Sequence, residues 1–138
     1  MKKIIFLIFF LYGCGPSLQE LRETSTNITL TMQKDAFCVY SKLNNSVFTT
    51  KSNRTWDESS WHSIWDPSTN TGEIFNIIPP GKSYVILFVI NTINTVDSTT
   101  IKIKIAEGHG RSPLVTRWNQ EYALKILSSA DFSSCPDL

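Results

Sequence analysis

The side chains that could carry out catalysis are few in this chain of 138 residues, and they do not form a recognisable set. Both histidines, His62 and His109, fall in polar stretches, and Ser112 follows His109 by three positions. A serine nucleophile needs a base and an orienting acid in mutual contact, which this spacing alone does not supply. We therefore favour an exposed turn around His109 over a catalytic role, and the same holds for His62.

Sequence motifs that mark common catalytic and metal sites are also absent. The chain has no Gly-x-Ser-x-Gly elbow, no glycine-rich phosphate-binding loop and no His-Glu-x-x-His pair. Neither Cys38 nor Cys135 has a second cysteine or histidine at metal-ligand spacing. The sequence therefore predicts a protein that is not an enzyme, with no cofactor, no metal and no small-molecule substrate.

A concentration of tryptophan predicts binding chemistry instead. Three of the four tryptophans lie in a stretch between residues 51 and 72 that is rich in Ser, Asn, Asp and Thr. Tryptophan is enriched at energetically important interface positions, because it buries a large area and keeps an N–H donor. The predicted contact surface combines these indoles with neighbouring carboxylates: Trp56, Asp57, Glu58, Trp61, Trp65 and Asp66.

Two interpretations of this tryptophan-rich stretch remain open. If it is exposed, its indoles and carboxylates suit a protein partner with a basic rim and an apolar centre. In the alternative, the indoles cover one open end of the fold, with Trp61 and Trp65 on a single helical turn.

The N-terminus has the parts of a secretory signal. Lys2 and Lys3 precede an apolar run from Ile4 to Tyr12, and the small residue Gly13 follows that run. A helix needs about 20 apolar residues to cross a bilayer, so this much shorter run is a signal and not a permanent span.

Leu11-Tyr12-Gly13-Cys14 resembles the lipobox of bacterial lipoproteins. This resemblance implies that residues 1–13 are removed as a signal peptide and that Cys14 is acylated. Several acyl chains on one residue hold a protein stably at a membrane. Because Gly15 stands where an aspartate would imply retention in the inner membrane, the resemblance implies the periplasmic face of the outer membrane. The alternative is an ordinary secretory signal with an incidental cysteine.

The other two cysteines, Cys38 and Cys135, form an even pair in what would be an oxidising compartment. They lie near the two ends of the mature chain, and a disulfide closing a loop of about 100 residues stabilises by about 4–5 kcal/mol. A disulfide is the favoured prediction. Two separate thiols, with Cys38 packed in the core, are the alternative.

The elements that must position these residues are predicted to be strands. Residues 27–32 and 99–105 alternate apolar and polar side chains, which is typical of half-buried strands. Residues 83–91 are the most apolar run of the mature chain and predict a central strand covered on both faces. The remaining predicted strands have shorter apolar runs: 36–41 as a hairpin partner of 27–32, 46–50, 73–78 and, in preference to a short helix, 118–127.

Short strands separated by frequent turns predict an all-β fold. The expected architecture is an antiparallel β-sandwich of six to eight strands, with an immunoglobulin-like arrangement as the best single prediction. Residues 27–138 would form one domain and residues 14–26 the lipid anchor and tether. A formal charge of +1 excludes the basic footprint of a nucleic-acid-binding protein, and 41% hydrophobic residues exclude a disordered chain.

The lipobox is followed by Phe37-Cys38-Val39-Tyr40 and then by Pro79-Pro80-Gly81-Lys82-Ser83-Tyr84-Val85. With this pattern the chain resembles small enterobacterial lipoproteins that act as periplasmic immunity proteins of type VI secretion. The resemblance implies a protein that binds and neutralises a secreted toxin, such as a phospholipase that acts at the membrane or a toxin that attacks the cell wall. The alternative is an accessory or pilotin-like lipoprotein of a secretion or envelope assembly.

Overall fold

Five strands and three helices make up the fold in the computed structural model, which describes residues 16–24, 26–50, 60–78, 83–93, 97–107 and 112–138. The strands are β1 (Ile28–Met32), β2 (Ser60–Asp66), β3 (Thr71–Ile78), β4 (Ser83–Ile93) and β5 (Ser98–Ile105). The helices are α1 (Leu18–Glu23), α2 (Ala36–Thr49) and α3 (Pro113–Ser129). The predicted signal peptide, Cys14 and residues 79–82 lie outside the described residues.

The strands form one antiparallel sheet in the order β1-β5-β4-β3-β2. β4 is its middle strand, and both faces of β4 are covered, as the apolar run predicted. On one face Phe88 and Ile90 are fully buried in a cluster with residues of α2 and α3. On the other face Leu87 packs with Leu21 of α1 and Phe75 of β3.

The alternating pattern of residues 99–105 is confirmed in β5. Ile101, Ile103 and Ile105 are fully buried on the side of the sheet that faces α2 and α3. The lysines between them lie on the opposite face, and both are partly exposed. β1 pairs with β5, so the predicted hairpin between β1 and residues 36–41 is wrong.

Residues 36–49 form a helix and not the two predicted strands at 36–41 and 46–50. Asp35 caps the helix, because its carboxylate accepts a hydrogen bond of 2.8 Å from the backbone N–H of Cys38. The buried side chains of α2 recur at the helical period, so they line one face against the sheet. These residues are Ala36, Val39, Tyr40, Leu43 and Val47.

Residues 113–129 are also helical, so the strand predicted at 118–127 is wrong. Ser112 caps α3 and Pro113 occupies its first turn, a combination that favours helix initiation. Ala123 and Ile126 are fully buried against the same sheet face as α2. The fold is therefore not all-β: the antiparallel sheet is present, but two helices cover the face where the predicted β-sandwich would have a second sheet.

α1 packs on the other face of the sheet, within the segment predicted as a tether. Leu21 is fully buried there, and the Arg22 guanidinium donates hydrogen bonds of 2.9 and 2.6 Å to the carboxylate of Glu73. These hydrogen bonds raise the pKa of the Arg22 guanidinium above its usual value. Lys104 donates a further hydrogen bond to the backbone carbonyl of Arg22. The helix is therefore part of the folded body.

A disulfide joins the first turn of α2 to the C-terminal segment. The sulfur atoms of Cys38 and Cys135 lie 2.10 Å apart, and the two residues are separated by 97 positions. After Cys135, the chain pairs with the residues that follow β1 through a bridge between Lys34 and Asp137. The side chains of this pair are 2.6 Å apart, and they hold the C-terminal residues beside the sheet edge.

Candidate functional site

The structure places the described residues of the predicted contact surface on β2, which is an edge strand. Trp61, Trp65 and Asp66 belong to β2, and β2 pairs along its length with β3. The predicted helical turn at Trp61 and Trp65 is therefore wrong. Trp56, Asp57 and Glu58 lie outside the described residues.

Trp61 packs into the layer between the sheet and the helices. Its ring centroid lies 6.1 Å from that of Phe88 in β4 and 6.3 Å from that of Tyr122 in α3. The Tyr122 hydroxyl in turn donates a 3.2 Å hydrogen bond to the carbonyl of Thr50. Trp61 thus links the edge strand to the middle strand and to α3, and its side chain is partly buried there.

Trp65 belongs to a second aromatic group, together with two side chains of α2. Its ring centroid is 5.2 Å from that of Phe37 and 5.1 Å from that of Tyr40. Phe37 is 53% exposed, and Trp65 is half-buried. Phe37 and Tyr40 were not predicted as site residues, because their position beside Trp65 depends on how α2 lies on the sheet.

Gly72 makes this aromatic group possible. Gly72 pairs with Trp65 across the β2–β3 hairpin, and a Cβ atom on it would lie only 2.5 Å from Cδ2 of Tyr40. The same atom would be 3.0 Å from Cε3 of Trp65. The glycine therefore provides the space that the two rings occupy.

We expect Gly72→Ala to lower the free energy of unfolding by about 1–3 kcal/mol, because it overpacks the site. Urea denaturation followed by circular dichroism measures the change. In a Tyr40→Leu background the same substitution should cost less, since the ring that it would contact is gone. An equal cost in both backgrounds would contradict this explanation.

The opposite face of β2 carries a smaller apolar region. The ring of His62 stacks on that of Phe75 at a centroid distance of 5.9 Å, and Ile64 is 51% exposed. β2 ends the sheet order, so one side of its backbone has no strand partner among the described residues. We define the β2 edge surface as the exposed or half-buried residues at the far end of this strand and the ring that packs on it: Phe37, Ile64, Trp65 and Asp66.

Asp66 adds a negative charge to the β2 edge surface. Its carboxylate accepts hydrogen bonds of 2.6 Å from the Ser68 hydroxyl and 2.9 Å from the Thr69 hydroxyl. These hydrogen bonds, with a further one from the backbone N–H of Ser68, lower the pKa of Asp66. The carboxylate therefore keeps its charge to a lower pH than an unbonded aspartate.

The two described residues that could take part in catalysis, His62 and Ser112, each make a local hydrogen bond. Among the described residues, no group of three or more His, Cys, Asp or Glu side chains could hold a metal ion. The Ser112 hydroxyl accepts a hydrogen bond from the backbone N–H of Val115 and so caps α3. The Ser60 hydroxyl lies 3.2 Å from Nε2 of His62. His109 lies outside the described residues.

Within the described ranges, none of the helices has both the length and the apolar character that crossing a bilayer would take. Comparison of the chain with protein-family models, with curated proteins and with solved structures finds no match.

Proposed function

We propose that this protein is a lipid-anchored immunity protein that binds and neutralises a toxin delivered into the periplasm by type VI secretion. In this proposal Cys14 carries the lipid, the protein lies on the periplasmic face of the outer membrane, and the domain acts by binding. A phospholipase is the favoured toxin class, because a membrane-anchored inhibitor meets a membrane-acting enzyme where that enzyme works.

The observation that carries the proposal is the half-exposed aromatic group on the β2 edge surface. Phe37 and Trp65 provide large apolar area at an edge strand, where a partner can add backbone hydrogen bonds to side-chain contacts. Aromatic residues at the centre of a contact commonly supply most of its binding energy. Asp66 follows Trp65 at the end of β2, and its charge favours a partner with basic residues around its active site.

The Cys38–Cys135 disulfide supports the compartment that the proposal requires. Disulfides persist in oxidising environments such as the bacterial periplasm, and they are rare in reducing cytosols. Blocking an active site takes an interface of about 800 Å² on each partner, which a domain of this size can provide.

A growth experiment tests the function directly. Cells that export the toxin encoded by the neighbouring gene to their periplasm should grow only when they also produce this protein. For an accessory lipoprotein, the alternative, deletion of the gene should instead abolish secretion and leave self-intoxication unchanged. Absence of growth rescue by the intact lipoprotein would reject the immunity function.

Phe37→Ala tests the β2 edge surface as the contact site. We expect it to weaken toxin affinity by about 2 kcal/mol, or about 30-fold, with little change in melting temperature. Leu124→Ala is the control, because Leu124 is also exposed but lies on α3 outside the β2 edge surface. Isothermal titration calorimetry measures both. Equal affinities for the two variants would move the contact elsewhere on the molecule.

A further inference from the structure

The described chain begins at one defined end of the sheet. Pro16 is buried, and its carbonyl accepts a 3.3 Å hydrogen bond from the backbone N–H of Tyr84 near the start of β4. The same end includes Ser60, which opens β2, because Ser60 pairs with Ile77 and Ile77 pairs with Tyr84. We call it the Pro16 end of the domain.

A lipid on Cys14 would therefore hold the Pro16 end close to the membrane. Cys14 precedes Pro16 by two positions, and two extended residues span at most about 7 Å. Leu21 is fully buried on the sheet, so α1 cannot unroll to lengthen this connection without losing its packing. This step rests on the acylation of Cys14 in the proposed function.

The two long helices also have termini at the Pro16 end. Tyr122 of α3 contacts Trp61 near the start of β2 and donates its hydroxyl to Thr50, directly after α2. One turn further along α3, the carbonyl of Ile126 accepts a 2.5 Å hydrogen bond from the Ser46 hydroxyl. The helices are therefore antiparallel, and the start of α3 extends past the end of α2.

Three of the exposed apolar side chains lie near these helix termini. Leu114 and Trp118 are 52% and 39% exposed, and their spacing of four places them on one face of α3. At a rise of 1.5 Å per residue, Trp118 and Leu114 lie about 6 and 12 Å beyond Tyr122 along the helix. Phe48, in the last turn of α2, is 66% exposed.

We propose that Leu114, Trp118 and Phe48 form a membrane-contact surface, which rests on the phospholipid bilayer that holds the Cys14 lipid. Tryptophan suits this position, because its ring enters the headgroup region while its N–H reaches a polar partner. Leucine and phenylalanine bury apolar area at the boundary of headgroups and acyl chains. Arg117, exposed beside Trp118, is paired with Glu121 on the same helix, so the contact rests on the apolar side chains.

The contact is tested with the full lipoprotein in vesicles of ordinary or brominated phosphatidylcholine. Bromine quenches tryptophan fluorescence at short range. Trp118→Phe should therefore lower the fraction of the total tryptophan fluorescence that bromine quenches, relative to the wild type. Trp65→Phe is the matched control, because Trp65 pairs with Gly72 near the opposite end of the sheet. Removing that unquenched indole should raise the quenched fraction. Near-ultraviolet circular dichroism confirms that both variants fold.

The outcomes separate this inference from the proposed function. Equal quenching of the wild type and Trp118→Phe, with the acyl mass present on Cys14, overturns the membrane contact and leaves an anchored inhibitor standing. An unmodified Cys14 overturns both. Quenching that depends on Trp118, together with failure of growth rescue, supports the membrane contact and rejects immunity. If Leu114→Gln/Trp118→Gln weakens toxin binding in solution and Trp118 is not quenched, the surface belongs to a protein partner.

Discussion

Replacing both Cys38 and Cys135 with serine should lower the free energy of unfolding by about 4–5 kcal/mol. The disulfide spans 97 positions, and a loop of that length removes much conformational entropy from the unfolded chain. This loss is comparable to the entire stability of many small domains, which is about 5–15 kcal/mol. Urea denaturation of the purified oxidised protein and of the double-serine variant measures the difference.

Reduction provides the control for the disulfide variant. Dithiothreitol should bring the urea midpoint of the wild-type protein to that of the double-serine variant, and it should not change the variant itself. If both proteins unfold at the same midpoint without reductant, the bond does not restrict the unfolded chain as we expect. A change in the slope of the denaturation curve would indicate that the unfolded state has become less compact.

Trp61→Ala should have the second-largest effect, a loss of about 3 kcal/mol in the free energy of unfolding, because it removes a packed aromatic ring. Trp61 contacts Phe88 in the sheet and Tyr122 in α3, so its loss weakens the attachment of the edge strand to both layers. Urea denaturation with circular dichroism measures the effect. Ser63→Ala, at an exposed position of the same strand, should change stability by less than about 0.5 kcal/mol.

The binding behaviour of Trp61→Ala distinguishes the core from the contact surface. Under conditions in which the variant is fully folded, its toxin affinity should match that of the wild type. A loss of affinity at full stability would instead restore Trp61 to the contact surface. Phe37→Ala should give the reverse pattern, since Phe37 is largely exposed and contacts Trp65 from the surface.

The strands could be predicted where a short window was enough to reveal the pattern. β5 alternates over five consecutive residues, Ile101 to Ile105, and the run that forms β4 is too apolar for a surface position. The sequence predicts strands within α2 because its first five residues, Ala36 to Tyr40, are all apolar. A continuous apolar run of this length fits a buried strand as well as a buried helix. The helical period of α2 becomes clear only when Leu43 and Val47 are included. The predicted antiparallel sheet was correct, and the all-β class failed on these helices.

The candidate site was only partly predictable, for a similar reason. A spacing of four residues places Trp61 and Trp65 on one face of either a helix or a strand, so their common face was foreseeable but their element was not. The part played by Phe37 and Tyr40 depends on the packing of α2 against β2, which no local pattern encodes. The sequence shows Gly72 only as a small residue, and it does not show that Tyr40 and Trp65 pack against it.

In the proposed lipid-anchored form of the protein, the docking of α1 would limit how far the domain can search for its partner. A protein on a flexible stalk sweeps a hemisphere with a radius equal to the length of the stalk, whereas a domain held two residues from its lipid moves only with the bilayer. Its reach is then the height of the domain itself, about 36 Å for the 11 residues of β4. Encounters would be confined to a thin layer, and lateral diffusion in two dimensions would set their frequency.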